Sequence, residues 1–108
     1  MSNANEIILC TCPEKESAEK IARLLVERGL AACVNILPGI TSIYRWQEQI
    51  HSAQEHLLLI KSNKDSYQAV ETTILENHPY ELPEIIALPI EHGLPEYLHW
   101  IDSCLSAN

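Results

Sequence analysis

"EIILCTCPEKESAEKIARLLVERG", residues 6–29, decides the fold. Residues 6–12, EIILCTC, are strand formers at both parities. Pro13 ends them, because proline donates nothing to a β-ladder but suits the first turn of a helix. From Glu14 to Arg28 the apolar residues Ala18, Ile21, Ala22 and Leu25 recur at helical spacing. Acids lie early, Arg28 lies in the last turn, and Gly29 supplies a left-handed stop. The segment reads as a strand followed by a helix.

Working outward, residues 30–50 form a long extended segment rich in Val, Ile, Thr, Tyr and Trp, with a bend or bulge expected at Pro38-Gly39 rather than a reversal. Strand formers thin out around His51-Ser52-Ala53 and resume in EHLLLIK, residues 55–61, which predicts a long hairpin with its tip near 50–54. Asn63 or Asp65 can cap a second helix whose Tyr67, Val70 and Ile74 share a face and which runs to about Asn77. Pro79 then biases His78 out of helical geometry. Ile85–Glu91 reads as a last strand, and after Gly93 a short amphipathic helix carries Leu94, Tyr97, Leu98 and Ile101. The order β-α-β-β-α-β plus a helix predicts an α+β, ferredoxin-like fold with an antiparallel sheet in a single domain spanning 1–108.

Composition bounds the function. The chain has 108 residues, 46% apolar and 20% charged, which is globular, and no run approaches the roughly 18 to 20 apolar residues of a membrane span. Fifteen acids against seven bases give a formal charge of −8, the wrong sign for neutralising phosphates, so nucleic acid is excluded as a partner and cations fit. Met1 to Glu6 carry no export signal, which predicts a cytoplasmic protein. Cys10, Cys12, Cys33 and Cys104 then read as free thiols, and the absence of Cys-x-x-Cys argues against a zinc ribbon or thioredoxin-type site.

The strands themselves predict an assembly. A sheet with both crossover helices on one side should alternate apolar with polar residues, because its other face meets water. Ile7-Ile8-Leu9-Cys10, Leu57-Leu58-Leu59-Ile60 and Ile85-Ile86-Ala87-Leu88 are apolar at both parities. A short C-terminal helix covers too little, so the second face is expected to close against other subunits.

LAACVNILPGITSIYRW (30–46), HPYELPEIIALPI (78–90) and YLHWI (97–101), in this order and spacing, resemble the CutA family of divalent-cation tolerance proteins, over roughly residues 6–105. That resemblance implies a ferredoxin-like subunit in a homotrimer braced by its long hairpins, a cytoplasmic location, and binding of divalent copper and related metals. Position by position, the cysteine of the family's first strand falls on Cys10, the histidine before Pro-Tyr on His78, and an acid associated with metal contact on Glu55. Two departures stand out. Enteric members have His-His-Pro-Tyr where this chain has Asn77-His78-Pro79, and the family's Trp-x-Gly-Lys is here Trp46-Gln47-Glu48-Gln49.

A thiolate, an imidazole and a carboxylate suit copper or zinc. Cys12 shares a strand face with Cys10, so a site can recruit it if strand geometry persists to Pro13. Each residue also has a structural reading: Cys10 as a small buried hydrophobe, and His78 as a helix C-terminal residue favoured by the macrodipole. His51, His56, His92 and His99 default to solvated or packed roles. Tyr44, Trp46, Tyr80 and Trp100 read as packing aromatics, which at a subunit joint would also line a groove. With three glycines, no phosphate loop and no nucleophile elbow, the chain is not expected to be an enzyme, and Glu81 and Glu84 read as solvated acids. Two function classes follow. One is a metal-binding tolerance protein using Cys10, His78 and Glu55; the other is a trimeric regulatory or scaffold module, resembling nitrogen-regulatory signal proteins in fold, with a small molecule or partner protein in its inter-subunit clefts.

Overall fold

In a computed structural model, residues 4–105 are described, and the reading of the first residues as lacking an export signal rests in part on Met1 to Asn3, which lie outside them. The elements are β1 (Asn5–Cys12), α1 (Lys15–Glu27), β2 (Cys33–Trp46), β3 (Gln49–Asn63), α2 (Tyr67–Asn77), β4 (Ile85–Pro89) and α3 (Pro95–Cys104). The four strands form one antiparallel sheet in the order β2-β3-β1-β4, the arrangement expected of a ferredoxin-like chain.

Local chemistry accounts for most boundaries. Gly29 takes a φ of 70° beyond α1; its N–H donates to the Val26 carbonyl, and that of Leu30 to the Leu25 carbonyl, so the helix's last carbonyls are satisfied. The N-cap of α2 is Ser66 and no side chain caps it, neither Asn63 nor Asp65; Asn63 Oδ1 instead accepts from the Ser66 N–H at 2.9 Å and closes the turn before the helix. His78 leaves α2 in an extended conformation (φ −90°, ψ 140°), as the following proline requires. A register shift between Leu37 and Ile40, with Gly39 at φ 75°, realises the expected bulge.

Two boundaries and the burial of the last helix differ from the sequence reading. The hairpin turns at Gln47-Glu48 rather than at 50–54, so β3 begins at Gln49. Both turn residues have positive φ, 52° and 66°, a two-residue reversal built without the glycine or asparagine that signals it. Pairing across the sheet, including the stack of Tyr44 on His51 at 5.6 Å, holds the weak strand formers at 51–53 in β3. β4 ends at Pro89 rather than Glu91, since proline lacks an N–H, and one further bond follows from Ile90 N–H to the Asn5 carbonyl. In α3 only Ile101 is buried; Leu94 and Tyr97 are exposed and Leu98 is half-buried.

Register sorts the two faces. Cys10 pairs with Leu58 and Ile85, and Ile8 with Ile60 and Ala87, so these residues point to one side. There they pack under Ala18, Ile21 and Leu25 of α1 and Val70 and Ile74 of α2. The other parity carries Ile7, Leu9, Leu57 and Leu59, half-buried, with Leu37, Ile86 and Leu88 at 41%, 49% and 47% exposure. Asn5, of this second parity, donates to Asp102 Oδ1 at 3.0 Å, which ties α3 across one end of that face and leaves the rest uncovered.

Candidate metal centre

β1 carries chemistry on both faces. Cys10 and Cys12 point beneath the helices, both fully buried, while Thr11 between them faces the opposite side. The strand persists to Cys12, which pairs with His56, so the two thiols lie on one face two residues apart. His78, delivered by the turn after α2, joins them: one ligand atom from each of Cys10, Cys12 and His78 lies within 4.8 Å of the others. Cys10 and His78, both anticipated, thus come together, and Cys12 joins them under the condition set for it.

The imidazole is held on both nitrogens. Nε2 lies 2.7 Å from the Thr11 carbonyl, which only accepts, so Nε2 carries the proton and donates. Nδ1 accepts from the Tyr80 backbone N–H at 3.0 Å. Donation by Cys10 to Cys12, with burial, pushes the Cys10 thiol up, and the same bond pulls Cys12 below the ordinary thiol value. Of the two, Cys12 is the readier thiolate.

Glu55 lies elsewhere. It sits three residues before Leu58 in an unbroken strand and so points to the opposite face from Cys10, where it is buried and is not a member of the donor group. Its Oε2 accepts from the Tyr80 phenol at 3.0 Å. There it lines a groove of about 850 Å³ with Thr11, Tyr44, Trp46, Tyr80 and Glu84. Tyr80, read from sequence as a packing aromatic, therefore links the two faces through its backbone to His78 and its hydroxyl to Glu55. No sequence signal separates that role from packing.

These features define a small antiparallel α+β protein with two buried thiols and a half-buried imidazole gathered at one end of β1. The family model described as CutA1 divalent ion tolerance protein matches residues 6–104. The divalent-cation tolerance protein CutA of Thermus thermophilus is 50% identical over 96 residues, spanning 89% of this chain and 93% of its own length. A solved structure of the divalent cation tolerance protein from that organism agrees with a TM-score of 0.93 at 47% identity, covering 94% of this chain and 99% of that one. One described as the periplasmic divalent cation tolerance protein CutA of Archaeoglobus fulgidus agrees at 0.91 and 40% identity, covering 94% and 99%. The chain belongs to the CutA1 divalent ion tolerance protein family. Neither the family's description nor these names denote a catalysed reaction.

Proposed function

We propose that the protein serves divalent-cation tolerance by binding copper and other divalent metal ions, as a homotrimer in the cytoplasm and without catalysing a reaction. The observation that carries this reading is the convergence of Cys10 and His78, 68 positions apart in sequence, to within 4.8 Å. Thiol sulfur and imidazole nitrogen fit copper and zinc, and ligation displaces the thiol proton. Glu55, the third residue the resemblance implied, faces the other side of the sheet and accepts from Tyr80, so it lies outside this donor group.

The trimer is supported by the uncovered apolar face of Leu9, Leu57, Leu59, Ile86 and Leu88. A cytoplasmic location is supported by four cysteines that remain thiols, two of them adjacent on one strand face. Among the described residues no helix is long and apolar enough to cross a membrane.

A copper titration of wild type against Cys10→Ser and His78→Ala, with sedimentation to follow assembly, tests the reading. Weakened binding in both variants is expected, and unchanged stoichiometry and affinity would sink it. The groove of about 850 Å³ favours a second reading, a regulatory or scaffold module that takes a small molecule or partner protein. That reading survives if metal binding is lost without consequence for the groove.

A further inference from the structure

The atoms that lie together are two sulfurs and an imidazole nitrogen, and no carboxylate oxygen is among them. We infer that Cys12 is a metal ligand beside Cys10 and that this thiolate pair takes a soft d10 cation, monovalent copper foremost, without Glu55. The inference rests on the metal-binding reading above and, for copper, assigns the monovalent ion to this site.

Geometry supplies the first argument. Donors within 4.8 Å of one another lie within a few tenths of an ångström of twice a metal–sulfur bond of roughly 2.3 Å, so one ion reaches both sulfurs with little movement of the chain. The i, i+2 spacing on a continuous strand fixes this relation through backbone pairing: Cys10 with Leu58, Cys12 with His56.

The surroundings supply the second. Both cysteines are fully buried, with Ile8, Ala18, Ile21 and Leu58 in the same cluster. Hard ions demand oxygen ligands and keep water, which buried, mostly apolar surroundings disfavour, whereas thiolate favours soft ions that tolerate low coordination.

The donors also differ in what each gives up. Nδ1 of His78, its one free lone pair, already accepts from Tyr80 N–H, so the imidazole can ligate only by breaking a backbone bond. Cys10 Sγ has a long 3.8 Å contact with the Thr11 carbonyl and its bond to Cys12, which an ion between the two sulfurs replaces. The sulfurs therefore give up no backbone hydrogen bond; what each gives up is its thiol proton, which the ion displaces, most readily from Cys12. His78 is the one member of the group that is not fully covered, so an ion arrives on its side.

The test is an anaerobic titration of reduced, metal-free protein with Cu(I) against a competing chelator, with Cu(II) titrated in parallel, for wild type, Cys12→Ala, Cys12→Ser and Glu55→Gln. Thiolate-to-metal charge-transfer absorbance gives the direct readout. Cys12→Ala is expected to weaken Cu(I) by more than the roughly 10- to 100-fold that follows loss of an outer-shell partner. It should also abolish most of the absorbance, while Glu55→Gln leaves both unchanged. If the alanine variant loses native circular dichroism, the serine variant is read instead. Cu(I) affinity unchanged on loss of the Cys12 sulfur overturns the inference. Wild type that binds Cu(II) but not Cu(I) overturns it while leaving the broader reading intact, and binding of neither ends both.

Discussion

The Tyr80 phenol donates to Glu55 Oε2 at 3.0 Å, tying the connection between α2 and β4 to the middle of β3. Burial, and then this bond to a carboxylate that repels a phenolate, push Tyr80 from its ordinary 10.0 up to about 12. A raised acid holds its proton more tightly folded than unfolded. The stability it contributes is thus fully present below pH 10 and is lost as pH rises toward about 12. Glu55→Gln should return Tyr80 toward 10, read as a shift of one tyrosinate step in an ultraviolet pH titration referenced to Tyr80→Phe. An unmoved step would show that the carboxylate has no hold on the phenol.

The hairpin tip should be improvable. Glu48 sits at φ 66°, a region costing a side-chain-bearing residue about 1–2 kcal/mol, and in the family that chain resembles the position is commonly glycine. Part of that gain is offset by the freedom glycine adds to the unfolded chain, about 0.4–1 kcal/mol. Glu48→Gly should therefore stabilise by roughly 0.5–1 kcal/mol in urea unfolding at fixed protein concentration. Destabilisation would place the turn's strain elsewhere.

What the sequence disclosed and what it withheld have the same origin. Residues 6–29 were legible because proline, helical spacing and Gly29 act locally, and Pro38-Gly39 announced its bulge for the same reason. The turn at Gln47-Glu48 was not, because neither residue prefers a left-handed backbone and only the cross-strand register imposes it. The site divides likewise. Cys10 and Cys12 share a face by local alternation, but their meeting with His78 is long-range and was implied only through family resemblance. Glu55 depends on register: because Cys10 opposes Leu58, the acid three residues earlier faces away from the thiols.

Substitutions on opposite sides of the sheet should separate the two apolar faces. Leu58 is fully buried under the helices, so Leu58→Ala should cost about 2–5 kcal/mol of subunit stability. Ile86 lies on the opposite face at 49% exposure, where a charge meets water in a lone subunit but meets apolar surface in an assembly. Ile86→Glu is expected to leave the circular dichroism of the subunit intact while lowering the sedimenting mass. A variant that still assembles at micromolar concentration would exclude this face as the joint.

His78 stands where the two faces of β1 communicate, since it donates to the Thr11 carbonyl and accepts from Tyr80 N–H. His78→Ala leaves the Thr11 carbonyl with only the long contact from Cys10 Sγ and opens the Tyr80 amide to water, a loss of about 1 kcal/mol. By loosening Tyr80 it should also lower that phenol's pKa, although Glu55 is untouched. Metal ligation by the imidazole competes for the same lone pair. Loading the protein through His78 should therefore shift the Tyr80 amide resonance and speed its hydrogen exchange, whereas loading through the two sulfurs alone should leave that amide protected. A single amide signal thus reports which donors a bound ion has engaged, and no change on loading would assign the binding to sulfur.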